Sequence, residues 1–498
     1  MDSREKTFIR GLTNPGSLCY LNSTLQQLFQ FQSFRTQVLA LPDEVENGNE
    51  AEDGCVTDIS DNYRAIHQYL LRELKALVAQ LACADEENEP VDSLALAQTI
   101  LDPRPADQTE YGSDDDEDQQ PRTLDPDEQM DVSAFLSAFL GQLTTALSDR
   151  ENKQKPSQSH STSPPMPFFR VIQGEIVNEL FVNSATSTTA AVGNPATTLA
   201  STDTERFFSL GVCVGEVPVE DRDEADTMVD AAQFDGSADS PDSHCSYYGP
   251  RPTVLSSLES SLAHFCREER VHCTWASPGA YDAHHVTTPV TTNKSTPVAT
   301  KRSTLRRCSL PTHLFIHLKR FRYDHDKMRQ VKVHDHFEFP FELDVAPYTD
   351  TQGDESETGE HSNSSSSSTN STRYVLCGVI VHRGSARKGH YFSLVRQRSR
   401  QACDAASASA SDRSGGGWFK VDDECVSEFD PADMADVAFG QSARSAEEAE
   451  GGDGAVDAVD AVECGADSSS SSQSKTKKKS RNRKQSAFML VYDKVEII

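Results

Sequence analysis

The chain has 498 residues and a formal net charge of −31, and 36% of its residues are hydrophobic. Such a negative protein repels a phosphate backbone, so the charge argues against nucleic acid as a partner and favours a basic ligand. The hydrophobic share is below that of ordinary globular domains, so we expect long segments outside any core. No apolar run approaches membrane-spanning length and no secretory signal opens the sequence, so we expect an intracellular protein, cytoplasmic or nuclear, with reduced thiols and no membrane partner.

The first predicted helix begins at Leu18 or Cys19, directly after the turn-forming segment Asn14–Gly16. Apolar residues then recur at helical spacing: Leu21, Leu25 and Leu28. Cys19 thus lies in the first turn, where unpaired N–H groups and the helix dipole favour an anion. The thiolate is the nucleophilic form of cysteine, so the position favours a catalytic role. For a lone cysteine, a buried structural role is the alternative.

The segment Gly11–Ser23, GLTNPGSLCYLNS, closely resembles the cysteine box of the ubiquitin-specific proteases, a family of papain-like deubiquitinases. The resemblance implies an α+β, papain-like fold with a helical thumb, a β-rich palm and fingers. It also implies that Cys19 is the nucleophile and that the side chain of Asn14 helps form the oxyanion hole. It implies no cofactor, and it makes ubiquitin and ubiquitinated proteins the expected partners.

Helical spacing continues at Tyr63–Cys83 and Val91–Leu101, and Pro103–Pro126 is an acidic insertion. A further helix follows, for which Asp125 or Asp127 is the candidate cap. Its predicted apolar face consists of Val132, Phe135, Leu136, Phe139 and Leu143.

The segment Gln129–Val132, at the start of that helix, resembles the glutamine-aspartate box of the same family. By resemblance, Gln129 and Asp131 contact the arginine-bearing tail of ubiquitin. The family usually has a second glutamine where Met130 stands and a glutamate where Ala134 stands. These departures keep open a second interpretation, a catalytically inactive scaffold that binds ubiquitin.

In the middle of the chain, residue patterns predict strands at Phe168–Val182, Phe207–Val214 and Arg270–Trp275. A short helix is predicted at Leu255–Phe265. Many members of the family bind zinc here through two CxxC pairs, whereas this chain has no CxxC pair and only Cys213 and Cys273 near the relevant strands. The other candidate ligands are Cys266, His272, His284 and His285, and no combination has zinc-ribbon spacing. We therefore expect no metal.

Thr312–Phe321 alternates as a strand does and ends in Leu-Lys-Arg-Phe, which resembles a palm strand of the family. Tyr374–His382 and Tyr391–Val395 then predict a hairpin whose connection, Arg383–Gly389, is rich in glycine and basic residues. Gly389-His390-Tyr391 matches the histidine box. The match implies that His390 is the general base and that Tyr391 lines the channel for the terminal glycines of ubiquitin.

Trp418–Asp423 predicts a short strand that ends in two carboxylates. By resemblance, Asp422 orients the imidazole of His390, and Asp423 is the alternative for that role. Strand alternation places the neighbouring Asp423 on the side facing away. Phe488–Val495 is a closing strand, so the acidic, serine-rich and basic stretch before it, which includes the basic run 475–484, is an insertion.

Length alone suggests roughly three domains, but the boxes run from Gly11 to Tyr492 and their residues must converge. We therefore predict one catalytic domain over 1–498, with a thumb at 1–150, palm and fingers at 166–349 and 373–397, and closing palm segments at 417–432 and 486–498. The expected insertions are 102–126, 183–204, 216–250, 276–303, 350–372, 398–416 and 436–485. The predicted activity is thiol-dependent hydrolysis of the bond after the C-terminal glycine of ubiquitin. A papain-like peptidase acting on ordinary polypeptides is a third interpretation.

Overall fold

The computed structural model describes residues 9–41, 59–83, 89–101, 130–154, 171–183, 197–217, 253–272, 298–325, 327–350, 371–397, 417–441 and 485–495. Several sequence predictions lie outside these residues: Gln129, the acidic insertion 103–126, the candidate caps Asp125 and Asp127, the basic run 475–484, and Cys273, His284 and His285. The helices are α1 (Cys19–Phe29), α2 (Gln32–Leu39), α3 (Ile59–Ala82), α4 (Leu94–Leu101), α5 (Val132–Gln154), α6 (Leu258–Phe265) and α7 (Met434–Ala438).

The strands are β1 (Gly174–Asn183), β2 (Thr197–Phe207), β3 (Ser209–Cys213), β4 (Gly215–Val217), β5 (Thr253–Leu255), β6 (Glu269–His272), β7 (Val298–Leu305), β8 (His313–Lys319), β9 (Phe321–Asp324), β10 (Arg329–Lys332), β11 (Glu342–Asp344), β12 (Arg373–Gly384), β13 (Gly389–Arg396), β14 (Trp418–Asp422), β15 (Cys425–Phe429) and β16 (Gln485–Lys494). Eight of these described strands form the central sheet, in the order β15-β14-β13-β12-β16-β8-β3, with β11 added against β12. Strand β3 is parallel to β8, and the other pairings are antiparallel. A separate sheet has the order β2-β1-β7-β6.

The central sheet has an apolar core on each face. In β8, Leu314, Ile316 and Leu318 belong to one core, and Phe315 belongs to the other, together with apolar side chains of α1 to α5. This split confirms the alternation expected from the sequence, because successive side chains of a strand point to opposite faces. Helices therefore cover one side of the sheet and fix the position of α1 against it. Among the described helices, none is both long enough and apolar enough to cross a bilayer.

Helix α1 is buried along its whole length, including its polar side chains. Buried polar groups need hydrogen-bond partners, and two of these contacts are made with β13. Gln27 Nε2 donates to the carbonyl of Leu394 at 3.2 Å, and Ser393 Oγ donates to the carbonyl of Ser23 at 2.8 Å. Gly378 leaves space for the side chain of Gln27, since a Cβ at that position would lie 1.8 Å from Oε1 of Gln27. The helix is thus locked to β12 and β13.

Two of the predicted insertions are shorter than the sequence suggested. Strand β2 begins at Thr197 and β7 at Val298, within the segments 183–204 and 276–303. Both strands are rich in Thr and Ser and lack apolar alternation, so their composition resembles that of a loop. Their conformation is set by antiparallel pairing of both with β1, which no local pattern reveals.

The described cysteines are mostly free thiols: Cys19, Cys83, Cys213, Cys266, Cys308 and Cys377. Cys425, the first residue of β15, is disulfide-bonded. The expectation of reduced thiols is therefore wrong for this residue. Cysteine spacing in the sequence carries no signal for it.

Candidate active site

Cys19 is the first residue of α1, and it is 4% exposed. The loop before it is held by Asn14, whose Oδ1 accepts hydrogen bonds from the N–H groups of Gly16 at 3.2 Å and Leu18 at 3.1 Å. Cys19 therefore lies in the first turn of α1, where the N–H groups have no intrahelical partner. The predicted start of the helix is confirmed.

His390 is the second residue of β13 and links Cys19 to Asp422. Its Nε2 lies 2.5 Å from Oδ1 of Asp422, the last residue of β14. A further hydrogen bond joins the imidazole to Cys19. Because Nε2 is hydrogen-bonded to the carboxylate of Asp422, Nδ1 is the ring nitrogen that remains for the hydrogen bond with the sulfur of Cys19. The three side chains therefore form one hydrogen-bonded chain.

The charges of this chain control the protonation of His390. Burial alone lowers the pKa of a histidine, but hydrogen bonds to Asp422 and Cys19, with the negative charges of both, raise the pKa of His390 to about 10. Burial also raises the pKa of a carboxyl group. The hydrogen bond from His390 and the charges of His390 and Lys420 nevertheless hold the pKa of Asp422 below its usual range. The arrangement favours a protonated imidazole that is hydrogen-bonded to both Asp422 and Cys19.

Lys420 is a neighbour of this chain that sequence reasoning missed. Its Nζ lies 2.6 Å from Oδ2 of Asp422 and 4.5 Å from the centroid of the Phe392 ring. Each oxygen of the Asp422 carboxylate therefore has its own cationic partner, His390 on one side and Lys420 on the other. Lys420 and Asp422 stand two apart in β14 and so share a face of the strand. This alternation of side chains along the strand is the sequence signal that could have identified Lys420.

Asp423 does not face away, so the prediction from strand alternation is wrong. It is 9% exposed, its Oδ2 lies 3.9 Å from Nε2 of His390, and the same Oδ2 accepts a hydrogen bond from Nδ2 of Asn14 at 2.7 Å. The reason is its backbone: Asp423 begins the turn from β14 to β15 with a φ of 50°. Alternation ends where the strand ends, and a positive φ turns the side chain back toward the site.

Asn22 and Ser93 extend the contacts of Asp423 into the helical layer. Nδ2 of Asn22 donates to Oδ1 of Asp423 at 2.9 Å and to the carbonyl of Thr13 at 3.0 Å. Ser93 Oγ donates to Oδ1 of Asn22 at 3.0 Å. Burial raises the pKa of Asp423, and the hydrogen bonds from Asn14 and Asn22 offset that effect only in part. This buried network fixes the loop that carries Asn14, and nothing in the spacing of the sequence links its members.

Asp131 caps α5 itself, whereas Asp125 or Asp127 was the predicted cap. Its Oδ1 accepts hydrogen bonds from the N–H groups of Ser133 at 2.8 Å and Ala134 at 3.2 Å. An N-cap carboxylate satisfies donors that the helix leaves unpaired.

Tyr391, the predicted channel wall, is 1% exposed, and the backbone of Val132 forms a hydrogen bond to its hydroxyl group. Burial raises the pKa of Tyr391 well above its usual range, and the charges of Asp131 and Cys19 raise it further. The charge of Asp131 therefore acts on Tyr391, a residue on which the charge of Cys19 also acts. Gln129, the other residue predicted to contact the ubiquitin tail, lies outside the described residues.

The described residues contain one group of three possible metal ligands, His390, Asp422 and Asp423, with ligand atoms within 4.8 Å of one another. Protein donors already occupy the two carboxylates, since Lys420 contacts Asp422 and Asn14 contacts Asp423. A cation would have to displace an ammonium group, so these residues do not fit a metal site. Among the zinc candidates, Cys213 and Cys266 are free thiols, and Cys266 Sγ donates to the carbonyl of Tyr348 at 3.6 Å.

Comparison with known proteins places this geometry in a family. The family model described as "Ubiquitin carboxyl-terminal hydrolase" matches residues 10–492. Human ubiquitin carboxyl-terminal hydrolase 9Y is 38% identical over 129 residues, which cover 24% of this chain and 5% of that protein. Mouse ubiquitin carboxyl-terminal hydrolase 24 is 32% identical over 191 residues, which cover 36% of this chain and 6% of that protein. The aligned part thus spans only a small fraction of these relatives.

A solved structure of the SAGA DUB module (Ubp8, Sgf11, Sus1 and Sgf73) bound to monoubiquitin is similar in fold. The TM-score is 0.51 at 15% identity, and the match covers 99% of this chain and 70% of the other. This likeness confirms the predicted α+β fold, and the family match confirms the resemblance read from the cysteine and histidine boxes. The chain belongs to the ubiquitin carboxyl-terminal hydrolase family, whose model it matches over nearly its whole length.

Proposed function

We propose that this protein is a thiol-dependent deubiquitinase that hydrolyses the peptide or isopeptide bond after the C-terminal glycine of ubiquitin. The observation that carries the proposal is the hydrogen-bonded chain from Cys19 through His390 to Asp422. The net charge of −31 supports a substrate with a basic tail. The monoubiquitin bound to the similar DUB module supports ubiquitin as the partner.

The reaction begins with attack of the Cys19 thiolate on the carbonyl carbon of the terminal glycine. A carbon–sulfur bond forms, and the carbonyl oxygen becomes an oxyanion. Asn14 has two N–H bonds on Nδ2, and Asp423 accepts one of them. We assign the other to the oxyanion, a type of contact that contributes about 10²–10³ in rate in related chemistry.

His390 supplies the proton for the leaving group. The carbon–nitrogen bond breaks as the imidazolium protonates the departing lysine amine, and Asp422 holds the ring in the required orientation. Water, deprotonated by the now neutral His390, then attacks the thioester. The products are the free carboxylate of ubiquitin and the regenerated thiolate. On the substrate side, we assign Gln129, Asp131 and Tyr391 to the ubiquitin tail.

A ubiquitin probe with a thiol-reactive C-terminus tests the proposal. We expect one covalent adduct, located by mass spectrometry at Cys19, and turnover of a ubiquitin-linked fluorophore. A scaffold, the interpretation favoured by Met130 and Ala134, would bind ubiquitin without forming an adduct. An ordinary peptidase would cleave unrelated peptides as fast as ubiquitin conjugates, and either outcome would replace the proposed function.

The contact between Lys420 and Asp422 predicts a change in pH dependence. We expect Lys420→Met to move the alkaline limb of kcat/KM upward by about half a pH unit. Without the ammonium group, the negative charge of Asp422 is less compensated, so His390 keeps its proton to higher pH. Activity that needs the protonated ring then persists to higher pH.

Lys420→Arg retains the charge and is the matched control, whose profile should follow that of the wild type. The measurement is the pH profile for a ubiquitin-linked fluorophore. A Lys420→Met profile that moves downward or stays in place would contradict this role of Lys420.

A further inference from the structure

The turn between β12 and β13 brings positive charge next to the candidate base. Arg383 is the cross-strand partner of His390, and Gly384 is the partner of Gly389. Side chains of directly paired residues lie on one face, with Cβ atoms about 5 Å apart. Arg383 and His390 therefore share one face of the hairpin, and Arg387 and Lys388 follow within the same turn. We call these three side chains the basic turn.

The backbone of this turn is tightly determined. The N–H of Ser385 donates to the carbonyl of Lys388 at 2.8 Å, and Oγ of Ser385 accepts from the N–H of Lys388 at 3.2 Å. Gly384 has a φ of 112°, and a Cβ there would lie 2.6 Å from the carbonyl oxygen of Lys388. A Cβ on Gly389 would lie 2.0 Å from Nε2 of His382. The turn therefore fixes the backbone positions from which its cationic side chains extend.

Among the residues that the structure describes, the basic turn has no acidic partner. Arg387 and Lys388 are exposed and Arg383 is half-buried, and none of the three side chains has an ion pair or hydrogen bond in the described part of the chain. Four arginines elsewhere in the described chain differ, since each of these contacts a glutamate: Arg72, Arg302, Arg306 and Arg373. In a chain with a net charge of −31, acidic groups are abundant. Three unpaired cations beside a candidate base therefore call for an external ligand.

We propose that the basic turn binds acidic side chains that flank the acceptor lysine in the protein joined to ubiquitin. The inference rests on the proposed function, because His390 must reach the amine of that lysine to protonate it. Residues one to three positions from the lysine lie within about 10 Å of it along the chain. That distance is comparable to the Debye length at physiological ionic strength, so charges there act on one another. The turn thus selects conjugates with acidic acceptor sites.

The test compares two ubiquitin–peptide isopeptide conjugates that differ only in glutamate or glutamine on both sides of the acceptor lysine. At low salt, we expect the wild type to hydrolyse the glutamate conjugate with a kcat/KM about three- to tenfold higher. High salt should bring this ratio close to one. The double variant Arg387→Gln/Lys388→Gln should bring it close to one at low salt as well. Arg72→Gln/Arg373→Gln removes the same charge elsewhere on the surface and should keep the preference.

Each other outcome overturns the inference. Equal kcat/KM values in the wild type at low salt, or a preference that survives in the double variant of the turn, would do so. Faster hydrolysis of both conjugates by that variant, with no preference, would mean that an acidic segment of the chain itself occupies the turn. If the ubiquitin-linked fluorophore is not hydrolysed at all, the proposed function fails separately. In that case the inference is tested by binding: the Cys19→Ala protein should bind the glutamate conjugate about three- to tenfold more tightly than the glutamine conjugate.

Discussion

Replacing Cys19 with alanine should lower hydrolysis of a ubiquitin-linked fluorophore by at least about 10⁴-fold while ubiquitin still binds. In the proposed reaction the sulfur supplies the bond-forming electron pair, and no other described thiol has a hydrogen bond to His390. The residue is 4% exposed, so its loss removes little contact area. Alanine also suits a helix, so α1 should persist. Steady-state kinetics and calorimetric titration with ubiquitin measure the two effects separately.

Cys377→Ala is the matched control for this experiment. Cys377 is a free thiol, 7% exposed, whose Sγ donates to the carbonyl of Val491 at 3.2 Å in the sheet. Its removal should lower stability slightly and leave kcat in place. Turnover by Cys19→Ala at a rate close to that of the wild type would remove Cys19 from the role of nucleophile.

The two neighbouring aspartates should both matter, for different reasons. Asp422→Ala removes the carboxylate that orients His390, and we expect kcat to fall by about 10⁴-fold. Asp423→Ala removes the acceptor that fixes Asn14, and we expect a loss of about 10²–10³-fold, the size of a lost oxyanion donor. KM should change little in both variants, because the lost interactions act mainly in the transition state.

The pH dependence separates the two roles. Asp422 raises the pKa of His390, so Asp422→Ala should move the alkaline limb of kcat downward. Asp423→Ala should leave that limb in place, since Asp423 acts on the imidazole only from 3.9 Å and is bonded to Asn14 and Asn22. If kcat fell strongly in Asp423→Ala and not in Asp422→Ala, Asp423 would be the residue that orients His390.

Periodicity and local motifs were sufficient to locate the elements that carry the candidate site. Cys19 at the start of α1, His390 near the start of β13 and Asp422 at the end of β14 all lie where the sequence indicated. These positions depend on signals within a few residues, namely a turn followed by helical spacing, a hairpin, and a short aromatic strand. Local signals of that kind are the ones a sequence expresses most directly.

The rest of the site depends on tertiary contacts. The orientation of Asp423 follows from one positive φ, which no local pattern in VDDEC specifies. The network that joins Asn22 to Ser93 and Asp423 connects residues far apart in the sequence. Strand β2 forms because β1 pairs with it, although its own composition is that of a loop. Pairing overrides intrinsic preference in such cases.

The anchoring of α1 also has a consequence for when the candidate site is assembled during synthesis. The hydrogen bonds from Ser393 to Ser23 and from Gln27 to Leu394 close loops of 370 and 367 residues. Contacts of such long range form late, because chain entropy must be lost before they add stability. Further lengthening of these loops costs little, since each doubling adds only about 0.6 kcal/mol. A ribosome-bound chain therefore carries Cys19 long before His390 can pair with it, and the candidate site is assembled only when the last strands have formed.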